Sequence, residues 1–236
     1  MNKRTLALSP RIEDVREKQQ PVPVVSFSLQ EIKAHFDSSI ASIRRQFDVA
    51  RQLKEAGFED DQKNIFRSQI VFLESALDFY LHELNKYGLM QIFNSAWDKT
   101  EPYKNLKIPM RHLEEGLKAP ETSGWFLEFI SEAYSRDVFT SFEYMKDQMN
   151  MLGLKFSDLL NQAFPPSSDP TIPSKTGKQI IRDLYDRRNQ IAHQTDRSHA
   201  NATQNDITEN YVLSCISDVE ILVTHLHTAA INKGQS

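Results

Sequence analysis

Apolar residues return every three or four positions along most of the chain, and that spacing predicts helices. The first stretch opens with Ser28 and Glu31, spaced as a Ser-x-x-Glu capping box, with Phe27 and Ile32 placed to close a hydrophobic staple. Ile32, Phe36, Ile40, Ile43, Phe47 and Ala50 then form one stripe, and Gly57 offers a stop. Phe66, Ile70, Leu73, Leu77, Tyr80 and Leu84 repeat the pattern, with Gly88 as the expected end. The short connection makes these two helices an antiparallel hairpin.

The middle of the chain is less regular. Pro102, Pro109 and Pro120 forbid one long helix, although Met110 to Lys118 fits a short one. Trp125 to Ala133, Val138 to Leu152 with Gly153 as its stop, and Phe156 to Phe164 read as further helices. Pro165 to Gly177 reads as an exposed loop. Lys178 to about Ala192 is helical, Gln194 to Asn205 is loop-like, and a last helix carries Ile207, Tyr211, Val212, Ile216, Val219, Leu222, Val223 and Leu226. The expected fold is all-α, an up-and-down helical bundle with an inserted helical subregion. Residues 1–26 read as a flexible N-terminal tail and 27–236 as a single domain, with the insertion at about 90–165.

Composition narrows the field. Seven glycines in 236 residues are too few for the turns of a β-sandwich or a nucleotide-binding α/β fold. A net charge of −4 argues against a broad basic face, so any RNA contact is expected to be local. The lone Cys215 excludes an intramolecular disulfide, and no apolar run approaches the roughly 20 residues of a membrane span, so a cytoplasmic location and no membrane partner are expected. Ser174-Lys175-Thr176-Gly177-Lys178 lacks the glycine and the final hydroxyl of a phosphate-binding loop. His82-Glu83 has no second histidine at zinc-protease spacing, and no cysteine pair exists for zinc, so neither a metal nor a cofactor is expected.

One run carries chemistry: Arg188-Asn189-Gln190-Ile191-Ala192-His193. On an ideal helix of about 100° per residue, Ile180, Leu184 and Ile191 fall within about 40° of arc, and Ile181 and Ala192 extend that face. Arg188 projects inside the apolar arc, so its guanidinium needs a partner, and Glu74 or Asp78 on the second helix can supply one. Arg187 lies toward the opposite edge. His193 sits about 140° from Arg188, so one continuous helix cannot bring the two together. A helix ending near Ala192 would allow it, as would two copies meeting across a symmetry axis. Asn189 and His193 share a face, flanked by Arg182 and Tyr185. Imidazole, amide and guanidinium suit a phosphodiester, although on spacing alone a capped, solvated helix end accounts for them better.

The run resembles the signature of the HEPN superfamily: Arg, a polar residue, a few more residues, then His. The Phe72–Leu81 stretch resembles the early bundle helix of the ribonuclease-toxin (RiboL-PSP-HEPN-like) branch, and the similarity spans about residues 28–231. The resemblance implies a HEPN-like bundle that dimerises, with Arg and His of two subunits facing one cleft and cutting RNA without a metal. Arg188 would stabilise the phosphoryl group, His193 would move a proton, and Asn189 would position either. Arg182, Tyr185 and Arg187 would help hold RNA, with Glu74 and Asp78 in support. A toxin or defence effector under an antitoxin or other regulatory protein follows from the same resemblance. The family also holds silent nucleotide-, RNA- or protein-binding modules, which leaves a non-catalytic alternative.

Overall fold

The computed structural model describes residues 24–167, 175–198 and 200–235, and among them the chain is all-α with no strand. The expected tail falls outside these residues up to 23, as does the loop at 168–174, including Ser174. In chain order the helices are α1 (Leu29–Glu55), α2 (Glu59–Phe93), α3 (Glu101–Lys104), α4 (Met110–Lys118), α5 (Gly124–Tyr134), α6 (Phe142–Met151), α7 (Phe156–Ala163), α8 (Gly177–Gln194) and α9 (Glu209–Gln235). No described helix is long and apolar enough to cross a membrane.

The start of α1 follows from its capping box. Ser28 Oγ accepts from the Glu31 amide at 3.3 Å, and Glu31 Oε2 accepts from the Ser28 amide at 2.8 Å. Gly57, at φ +84°, adopts the left-handed turn that lets α2 fold back along α1. All six stripe residues of α1 are buried and face the buried stripe of α2. α9 packs on both, and α8 packs on α2, which completes the bundle. Between α2 and α8 the described residues form five shorter helices. Of these, α5 and α6 lie against α2, while α7 bridges α8 and α9.

Three expected boundaries are corrected. Ile207 is buried but lies ahead of α9, which begins at Glu209 after Thr208, whose hydroxyl accepts from the Tyr211 amide at 3.2 Å. Gly88 does not stop α2, which continues to Phe93. It is a close-packing position: a Cβ there would lie 2.7 Å from Leu152 and 2.8 Å from Trp97, both buried. Val138 does not begin a helix either. The 137–140 stretch spends its polar groups on α2, and α6 starts at Phe142 after Ser141.

Candidate functional site

The α8 helix is capped by Thr176, whose hydroxyl accepts from the Gln179 amide at 3.3 Å, and it stays helical through Gln194. Its inner face buries Ile181 and Leu184. Ile180 and Ile191 are half-buried and Ala192 is exposed, so the buried face is centred nearer Ile181 than the spacing put it, and Arg188 projects from that face toward α2. There Arg188 Nε lies 2.6 Å from Glu74 Oε2. The N–H is not aimed along that line, so the contact is charge pairing rather than an aligned hydrogen bond. Arg188 Nη1 donates to Asn189 Oδ1 at 3.0 Å. The side chain of Glu74 is 3 % exposed and that of Arg188 27 %, so the acid is buried while the guanidinium still reaches an opening.

That opening is a cleft of about 410 Å³ between α2, α5 and the 135–140 turn. The turn is fastened to α2 one helical step at a time. Thr140 Oγ1 donates to Glu74 Oε1 at 2.9 Å, the Phe139 amide donates to Asp78 Oδ1 at 2.7 Å, and His82 Nε2 lies 3.0 Å from Asp137 O. Residues 74, 78 and 82 are each four apart, so one α2 face carries all three contacts. Burial pushes the Glu74 carboxyl above its ordinary pKa, against the opposing pull of Thr140 and Arg188. Asp78 thus supports the cleft wall, and Glu74 is the partner of Arg188.

The other candidates part ways. His193 is exposed in the last turn of α8, and its ring makes no hydrogen bond or ion pair among the described residues. Asn189 is half-buried beside Arg188. Arg182 is exposed, donates to Glu143 on α6 at 3.0 Å and lies over the Phe142 ring. Tyr185 is half-buried near Asp218 and Leu222 of α9. Arg187 is held in a different assembly. Its Nη1 is 2.7 Å from Asp196 Oδ1, and its Nη2 donates to Asp196 Oδ2 and Asp206 O, both at 2.9 Å. Asp196, fully buried, also accepts from Arg67 Nε at 2.8 Å. Two guanidiniums from α2 and α8 therefore close on one carboxylate just past the end of α8.

Sequence reasoning did not single out Arg67, Asp196, Thr140 or Asn85. Arg67 carried no local signal, since it lies about 100° round α2 from Phe66, beyond the edge of the apolar stripe, with polar Ser68 and Gln69 next in the chain. The others are placed by contacts 66 or more positions apart or by the packing of α5, which no local pattern encodes. Among the described residues no group of three His, Cys, Asp or Glu side chains is arranged to hold a metal ion.

In comparison with known proteins, the family model described as RiboL-PSP-HEPN matches residues 34–232. No curated protein and no solved structure matches the chain.

Proposed function

The chain belongs to the RiboL-PSP-HEPN family, and from that premise we propose that it is a metal-independent endoribonuclease whose working site needs two copies of α8. One observation carries the proposal. Because α8 is unbroken through Gln194, Arg188 and His193 of one copy stay about 140° apart, one in the cleft and the other exposed. A second copy supplies the histidine that the first cannot bring to its own arginine.

In the proposed reaction the ribose 2′-hydroxyl attacks the adjacent phosphorus. The 2′-oxygen–phosphorus bond forms as the bond to the 5′-oxygen breaks, leaving a 2′,3′-cyclic phosphate and a 5′-hydroxyl. One proton leaves the 2′-hydroxyl and one reaches the departing oxygen. His193 moves a proton at one of these atoms. Arg188 offsets the charge growing on the phosphoryl oxygens, with Asn189 holding its guanidinium in place. Arg182 and Tyr185 belong to the RNA-facing surface, whereas Arg187 acts through the Asp196 assembly. Such an activity is damaging when unrestrained, so a toxin or defence role under a regulatory protein is part of the proposal.

The pairing of Arg188 with Glu74 favours a second reading, a silent module in which Arg188 is structural. Digestion of RNA in EDTA separates the two. The endoribonuclease reading expects discrete cuts ending in cyclic phosphate, a loss of about 10²–10⁴-fold in His193→Ala, and no cutting of DNA. Mixing inactive Arg188→Ala and His193→Ala subunits is expected to restore part of the activity across the dimer. A magnesium requirement, or full activity in His193→Ala, overturns it.

A further inference from the structure

We propose that Thr140 is a positioning residue for Arg188: by holding one oxygen of Glu74, its hydroxyl keeps that carboxylate from closing on the guanidinium with both oxygens and leaves the arginine open to a phosphoryl group. The role in cleavage rests on the endoribonuclease reading, whereas the arrangement of Thr140, Glu74 and Arg188 can be tested without cleavage.

Glu74 and Thr140 are both buried, and a buried carboxylate needs a donor at each oxygen. Glu74 finds the two on different elements. Thr140 Oγ1 donates to Oε1 at 2.9 Å, and Arg188 Nε lies 2.6 Å from Oε2. Arginine and a carboxylate left to themselves favour a fork, two parallel N–H···O bonds that use both oxygens. That fork is not made here. Nε is buried with its N–H off the line to Oε2, and Nη1 donates instead to Asn189 Oδ1 at 3.0 Å. Glu74 therefore balances the charge of Arg188 without enclosing its guanidinium, and Arg188 still lines the cleft.

The hydroxyl can act this way because the turn that carries it is fixed. The Phe139 amide donates to Asp78 Oδ1 at 2.7 Å. Asp137 is held twice, through its carbonyl by His82 Nε2 at 3.0 Å and through its carboxylate by the Tyr144 hydroxyl of α6. The Phe139 ring is fully buried, its centroid 4.0 Å from that of His82. Valine at 140 keeps the shape of threonine and removes only the donor. Oε1 is then a buried acceptor without a partner, which is costly. Among the described residues the other donor group at this carboxylate is Arg188. The carboxylate turns both oxygens onto the guanidinium, and a phosphoryl group then has to displace the fork.

The test follows the Arg188 Nε–H signal by NMR, assigned with Arg188→Lys, as inorganic phosphate is added to the full chain. Phosphate carries more negative charge than a phosphodiester at neutral pH, so it stands in for the charge of the transition state. It is expected to shift the signal in the wild type and in Thr140→Ser, which keeps the hydroxyl, and to bind about tenfold more weakly in Thr140→Val. In the Glu74→Gln background Thr140→Val should change binding no further, because Thr140 acts through Glu74. Thermal melting controls for folding, and Thr140→Ala takes the place of Thr140→Val if the latter does not fold. With RNA, Thr140→Val should lower kcat about tenfold with KM little changed, and Thr140→Ser should restore most of the loss. An Arg188 signal unmoved by phosphate in the wild type, equal or tighter binding in Thr140→Val, failure of Thr140→Ser, or an undiminished loss in the Glu74→Gln background overturns the positioning role. Wild-type cutting by Thr140→Val sinks the positioning role alone. Phosphate binding that follows the Thr140 hydroxyl, in a protein that cuts no RNA, sustains the positioning role and sinks the endoribonuclease.

Discussion

Replacing Asp196 with Asn removes one charge and almost no volume from the point where α2, α8 and the loop after α8 meet. Asp196 is 0 % exposed and accepts from Arg67 Nε, Arg187 Nη2 and Asn205 Nδ2 at 2.8, 2.9 and 3.2 Å. Its backbone lies in the left-handed region at φ 59°, which Asn tolerates, so the substitution isolates electrostatics from strain. It leaves two guanidiniums, 8 % and 13 % exposed, against a neutral amide whose NH₂ repels one of them. Breaking a buried pair in this way costs about 3–5 kcal/mol. A chain of this size loses about 2–4 °C in Tm per kcal/mol, so a fall of about 6–20 °C is expected in thermal unfolding followed by circular dichroism. Asp196→Ala should fall further, because alanine lacks the short polar side chain that lets Asp and Asn tolerate that backbone region and pays about 1–2 kcal/mol there. Arg67→Met should cost less in the Asp196→Asn background than in the wild type, since the two act as one unit. A fall below about 2 °C, or strictly additive losses, would refute the view that this carboxylate holds the end of α8.

Two further outcomes follow from the packing around the cleft. Because burial raises the Glu74 pKa, the folded protein binds more protons there than the unfolded chain once pH exceeds 4.5. Wild-type stability should therefore decline relative to Glu74→Gln as pH rises from 4.5 through the raised value, and parallel stability curves in urea would count against it. Gly88→Ala drives a methyl to within 2.7–2.8 Å of Leu152 and Trp97. Overpacking of about 1–3 kcal/mol should outweigh the helix-propensity gain of about 1 kcal/mol, so an unchanged or higher Tm would contradict the close-packing role.

What the sequence encodes locally was legible in it, and what depends on a distant partner was not. The α1 stripe from Ile32 to Ala50 and the Ser28 cap could be read directly, because each rests on residues within one or two turns. Gly88 misled because a helix stop and a close-packing site leave the same mark, a glycine after an apolar run. Only the arrival of Leu152 and Trp97 distinguishes them. Arg188 was legible as a buried-face arginine in need of an acid, and Glu74 stood among the alternatives because it lies on the edge of the neighbouring stripe. Arg187 was not legible in the same way. Its partner sits beyond the helix end in a left-handed residue, and the second guanidinium comes from 129 positions away.

The two adjacent arginines divide the electrostatic work of the proposed reaction. The chain is acidic at −4, so attraction of RNA has to come from local excess. Arg67 and Arg187 against the single Asp196 leave a surplus of one positive charge three residues past His193, little screened because it is buried. Arg188 contributes no such surplus, since Glu74 already balances it. A phosphodiester with one negative charge gains little by competing with that carboxylate. The transition state places more charge on the phosphoryl oxygens and gains more from the same guanidinium. On the proposed chemistry, Glu74 therefore weakens ground-state binding more than it weakens transition-state stabilisation, which is the direction that favours turnover over tight RNA retention.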